Sequence, residues 1–162
     1  MSELKNALLD SWDRQNAILT NVVNLIEPDW LGFKIADGEL SIVNHLGHIH
    51  QVRSFFLSNI APNHMDGIEK VAADGWSPST DIDKIKEQLP ISARQIRTAM
   101  NELLDEGKPV GFYDHPVLYL QHMMWHEGWH VGAIMAALRL NGHDMPEEWE
   151  EPNIWAHWRT ES

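Results

Sequence analysis

Four stretches of the chain carry apolar residues at three- and four-residue steps, and no stretch convincingly alternates apolar with polar. That pattern asks for helices packed on helices rather than a sheet. The first stripe runs Leu4, Leu8, Trp12, Gln15, Leu19, Val22, Val23 and Ile26, predicting a helix over 3–26 that Pro28 stops. The second joins Ile42, Leu46, Ile49, Val52, Phe56 and Ile60 over 41–60, with Ser41 as its cap. The third keeps Ile82, Ile85, Leu89, Ile96, Met100 and Leu103 in phase across Pro90, which predicts one kinked helix over 81–105 rather than two. The fourth, over 115–141, runs through Tyr119, Met123, His126, His130, Ala133, Ala137 and Leu140, with Asp114 as cap and Asn141-Gly142 as stop. Four amphipathic helices in 162 residues predict an all-α four-helix bundle. One domain, 1–162, accounts for that length, ending in an acidic, Trp-rich tail over 143–162. The connection 61–80 is long for a compact domain, and 68–73 is the place for a short helix within it.

Charge and composition narrow the partners. Twelve basic residues against 24 acidic ones give a formal net charge of -12. Such a chain repels phosphate backbones and anionic membrane surfaces, so neither nucleic acid nor membrane is expected as a partner. With no cysteine, disulfides and thiolate metal sites are excluded. The first residues lack a basic stretch followed by an apolar core, and no apolar run approaches the ~20 residues of a membrane span. A cytoplasmic location is the expectation.

The chain holds ten His and eight Trp. The His are scattered rather than clustered as a tag. The sharpest pattern is His126-Glu127-Gly128-Trp129-His130, because residues four apart lie on one face of a helix. Both imidazoles share the bundle-facing side with Tyr119, Met123 and Ala133. A buried imidazole pair is costly without partners, and a divalent metal would satisfy both. The segment also reads His-Glu-x2-His, but a protease of that type needs a larger domain with strands, which this pattern lacks. A di-iron bundle needs Glu-x2-His on two helices and is equally unsupported.

The second helix offers His45, His48 and His50 for a third ligand. Periodicity puts His45 near the middle of its stripe, His48 at the edge, and His50 toward solvent. Periodicity alone therefore favours His45 as the third ligand. His122, one turn before His126, is a second-shell group, an alternative ligand or a neighbour of the pocket rim. His64, His115, His143 and His157 fall in loops or the tail and are expected in solvent, as is the acidic run of the tail. Met123-Met124 and Phe55-Phe56 read as core, and Trp125 and Trp129 as a pocket wall or a subunit contact. Eight Trp exceed what one small core needs, which points to a homodimer.

Two segments resemble the DinB-like superfamily of four-helix-bundle metalloproteins. Ser41-Ile42-Val43-Asn44-His45-Leu46-Gly47-His48-Ile49 is similar to the family's second helix, where a ligand His lies seven residues after a capping Ser. His126-Glu127-Gly128-Trp129-His130-Val131-Gly132, followed by Leu138-Arg139-Leu140-Asn141-Gly142, is similar to its His-x3-His-x-Gly segment and closing Leu-Arg-x2-Gly. The resemblance implies a site of His48, His126 and His130 near an end of the bundle core, with His45 and His122 outside the ligand set as second-shell groups or alternative ligands. Three protein ligands with open positions for water mark a catalytic metal, zinc first and nickel next. It further implies a metal-dependent enzyme of thiol S-transferase or hydrolase type, acting on a small molecule with a low-molecular-weight thiol as partner. No catalytic side chain beyond the ligands is identified. The family often places Arg and Gln around the Gly after the second His; Val131 and Ala133 stand there instead, leaving the ligands intact but removing polar groups that would touch substrate. That departure favours the alternative, a non-catalytic bundle acting as a binding or stress-response module.

Overall fold

The computed structural model describes residues 2–72 and 77–159. Four long helices dominate: α1 (Ser2–Leu25), α2 (Ile42–Ile60), α3 (Ile82–Glu106) and α4 (Pro116–Leu140). They match the four sequence stripes within a residue or two at each end. α1 and α2 sit on one diagonal of the bundle, each packed between α3 and α4. Among the described residues there is no strand, only isolated bridges pairing Lys34 with Ser41 and Val110 with Tyr113.

Pro90 lies inside α3, which runs through it as one helix. Its lost backbone bond is offset by packing on both sides, since Leu89 and Ile96 are both buried. Capping follows local chemistry, with two departures from expectation. Asp81 accepts from the Lys84 amide at 3.0 Å and starts α3. Asp114 does not cap α4; the His115 ring takes that role, Nδ1 accepting from the Val117 amide at 3.2 Å. Ser41 holds the first position before α2, but its hydroxyl donates to Asn44 Oδ1 rather than capping an amide. The short helical turn in the long connection is Pro62–His64, not 68–72; Ala73, the end of the expected helix, lies outside the described residues.

The acidic run of the tail does face solvent at Glu147 and Glu148, but the tail is folded. It folds as α5 (Glu147–Glu150), a π-helical turn Glu151–Trp155 and a 3₁₀ turn Ala156–Trp158. These lie along α1: Asn21 Nδ2 donates to Asn153 O at 2.9 Å, and Arg14 donates to His157 O.

The core divides into two apolar layers. One holds Leu19, Val22, Ile42, Leu46, Ile49, Ile85, Ile134 and Leu138. The other holds Leu9, Trp12, Leu57, Ile96, Met100, Tyr119, Leu120 and Met123. Between them each helix contributes polar groups: Asn16 from α1, Arg53 from α2, Ser92 from α3 and Glu127 from α4. No sequence stripe marked this belt, because Arg53 and Glu127 look like ordinary charged helix positions.

Candidate metal centre

The belt is built around Arg53, which is fully buried. Its Nε and Nη2 donate to the two carboxylate oxygens of Glu127 at 2.6 and 2.7 Å. Nη2 also donates to Asn16 Oδ1 at 2.6 Å, and Nη1 to Leu89 O at 2.9 Å. The guanidinium carbon lies 4.9 Å from the centre of the Trp12 ring. A buried charge pair is tolerable when it is bidentate and its remaining donors are used, as here. The pair ties α2 to α4 at the height where both helices carry their histidines.

Those histidines converge. His48, His126 and His130 each offer a ring nitrogen, all within 4.8 Å of one another. His126 Nε2 and His130 Nε2 are 3.1 Å apart. The His48 ring centre is 5.3 Å from that of His126 and 5.1 Å from that of His130. α4 stacks its two rings one turn apart, and α2 supplies His48 from the facing corner. Gly47 lets α2 come close on the other side: a Cβ there would sit 3.0 Å from Ser79 Cβ. The cluster lies at mid-height beside the polar belt, not near an end of the core. Its residues fall between Leu46 and Val52 on α2 and between Met123 and Ile134 on α4.

Burial keeps these rings uncharged. Desolvation pushes His126 down to about 4 and His130 to about 3, with neighbouring imidazoles adding to the effect; desolvation also lowers His48. Neutral imidazole is the ligating form, so the donor set suits a divalent ion that accepts nitrogen, such as zinc or nickel. Among the described residues His126 Nδ1 is buried without a hydrogen-bond partner, so none of them satisfies this nitrogen.

His45 is not in the triad. It is buried, and its Nδ1 shares a 2.7 Å hydrogen bond with His130 Nδ1. It therefore holds the back of His130 while Nε2 of His130 faces His126, the arrangement by which outer groups orient ligating histidines. His122 is also outside: it is exposed, 6.3 Å ring to ring from His126, and its Nδ1 shares a 2.7 Å hydrogen bond with the Tyr113 hydroxyl. Desolvation pushes that hydroxyl up to about 12, so it stays protonated at neutral pH. Gly111 (φ +52°) turns the chain into this segment at a point where a Cβ would be 2.8 Å from Ile60 Cγ2.

Several histidine expectations fail. His50 is fully buried, its ring between Ser92 Oγ and Glu69 O, because a loop covers that side of α2. His143 packs on Trp30 and Phe33, His64 pairs with Glu102, and His157 contacts Asn21. Phe55 is 41% exposed rather than core. Trp125 and Trp129 are 73% and 55% exposed, and Trp129 lies 4.8 Å ring to ring from His130, walling the cluster. Among the described residues no helix is long and apolar enough to cross a membrane.

Residues 1–156 match the family model described as DinB family. No curated protein and no solved structure matches the chain.

Proposed function

Since the chain belongs to the DinB family, we propose that it holds a divalent metal on His48, His126 and His130 and uses the open positions for a small-molecule substrate. The single observation behind this is three neutral imidazoles with nitrogens within 4.8 Å on two facing helices. Zinc is the expected ion and nickel the next. An ion bound there supplies a Lewis acid that lowers the pKa of a coordinated thiol or water. The protein's own residues do the rest. His45 orients His130, the Arg53–Glu127 pair fixes the spacing of α2 and α4, and Trp129 shields one side of the cluster. Tyr113 and His122 present a protonated hydroxyl and an imidazole near His126, where they can bind and orient a substrate.

The reaction proposed is transfer of a low-molecular-weight thiol to an electrophile, with hydrolysis as the second chemistry of the same centre. Val131 and Ala133 favour a non-catalytic reading, because both are buried apolar side chains and add no polar group to that turn. Metal analysis of the purified protein, followed by assays of low-molecular-weight thiols with a chromogenic electrophile, separates the two. Metal with thiol-dependent turnover supports the enzyme. Metal without turnover supports a binding module, and absence of both refutes the proposal. We also propose a homodimer through the exposed Leu118 and Trp125 on α4. A monomer at micromolar concentration in light scattering would contradict it.

A further inference from the structure

The two helices that carry the metal cluster bring almost no charge to the surface. The chain has 12 basic and 24 acidic residues, yet α2 holds only Arg53 and α4 only Glu127 and Arg139. Arg53 and Glu127 are buried against each other, and Arg139 is paired with Asp144 in the last turn of α4. Apolar side chains are exposed instead: Leu118, Trp125 and Trp129 on α4, and Phe112 on the turn before it. A charged ligand finds no countercharge on these helices, whereas a neutral apolar one gains by leaving water.

The turn that carries Phe112 is rigid. Val110 N donates to Tyr113 O at 2.8 Å and Tyr113 N to Val110 O at 2.9 Å, with Gly111 and Phe112 between them. Gly111 lies against Ile60, which pins the turn to the end of α2. Phe112 is nevertheless 68% exposed, so packing alone does not account for it. Its ring stands edge to face with Phe56, 6.1 Å between centres. Phe56 in turn meets His122 at 5.4 Å and Tyr113 at 5.9 Å, and His122 is the ring next to His126. A row of rings thus runs from the triad out to Phe112, with the Tyr113 hydroxyl beside it. That hydroxyl's exposed bond to His122 uses one of its roles only: when the imidazole Nδ1–H donates, the phenolic proton is left for a ligand. Rings favour offset and edge-to-face contact with other rings, so the row selects an aryl group over a saturated one. A turn already ordered loses little freedom on binding.

We propose that this row sets the specificity of the metal centre: a neutral aryl substrate lies on Phe112, Phe56 and His122, and an oxygen acceptor on it takes a hydrogen bond from the Tyr113 hydroxyl. The substrate's reaction rests on the metal-centre reading above, but its binding does not. Three probes test it: 2-acetylnaphthalene, its ring-saturated analogue 2-acetyldecalin, and 2-ethylnaphthalene, which lacks the acceptor. Each is titrated into the metal-free full chain by calorimetry, with the amide NMR signals of Gly111, Phe112 and Tyr113 reporting where it binds. The aryl ketone should bind one to one, shift those amides and bind at least about threefold tighter than the decalin. Phe112→Ser should lose about tenfold in affinity, and Phe112→Tyr should keep it. Tyr113→Phe should cost the ketone about 2–10-fold and the ethyl compound nothing. With Co(II) bound, the wild-type protein should broaden the acetyl methyl resonance of the ligand. No saturable binding, equal affinity for the aryl and saturated rings, or an affinity untouched by Phe112→Ser would overturn the site. A Phe112→Ser variant altered only in oligomeric state would make that ring a subunit contact and overturn it equally. An unchanged affinity in Tyr113→Phe would overturn the hydrogen bond, and unbroadened ligand on the cobalt-loaded chain would overturn the placement at the centre. A chain that takes up no metal refutes the metal centre instead, and the aryl site is then decided by the calorimetry alone.

Discussion

Arg53 and Glu127 are shut off from solvent and keep opposite charges in contact; His126 and His130, on either side of Glu127, are held neutral by the same burial. The first cluster is complete within the protein: every guanidinium nitrogen has an acceptor, supplied by the three helices that surround α2. The second is incomplete, with ring nitrogens facing one another at 3.1 Å and one buried nitrogen unpartnered. A saturated polar cluster fixes geometry, whereas an unsaturated one of neutral donors is ready to receive an ion. One turn of α4 serves both purposes because alternate faces of the helix point to different partners.

The largest effect should come from opening the saturated cluster. Glu127→Ala strands a buried guanidinium and is expected to cost about 3–5 kcal/mol, read by urea denaturation. Replacing both partners together, Arg53→Met with Glu127→Leu, should recover most of that loss. If the double variant is as unstable as the single one, charge pairing is not what the belt provides.

The neutral cluster should reveal itself through pH. Below the ordinary value of 6.5 the unfolded chain takes up protons that folded His126 and His130 refuse until about 4 and about 3. Stability of the metal-free protein should therefore be full above 6.5 and fall as pH drops toward about 4, by at most roughly 1.4 kcal/mol per pH unit for each ring. The fall should be shallower in His130→Leu. An equal slope in that variant would place the proton uptake elsewhere.

His45→Ala removes the hydrogen bond behind His130. Outer-group losses of this kind weaken metal binding by about 10–100-fold, measurable by competition with a chelator. Unchanged affinity would reduce His45 to a packing residue. The smallest effect belongs to the exposed counterpart of the buried pair, Arg97 with Asp13 at 2.7 Å. Asp13→Asn should cost about 0.2–1 kcal/mol and less in high salt.

Most of the fold was legible because apolar spacing survives Pro90 and because Pro28, Gly107 and Asn141-Gly142 punctuate the helices. The triad was legible in two steps. Helical spacing paired His126 with His130, but the stripe on α2 favoured His45, and only the family resemblance pointed to His48. Periodicity misled there because His45 is indeed the more buried residue, yet it reaches the cluster from behind. The Arg53–Glu127 belt was not legible: a charge that will be buried looks like one that will be solvated until the facing helix is known. His50 failed for the same reason, since the loop that covers it leaves no helical period.

Metal titration of the metal-stripped protein, wild type beside His126→Ala, tests the central claim most directly. The account predicts one tightly bound zinc per wild-type chain and loss of tight binding in the variant, because two imidazoles from different helices hold the ion far less well than three. Equal zinc content and affinity in the two proteins would contradict it.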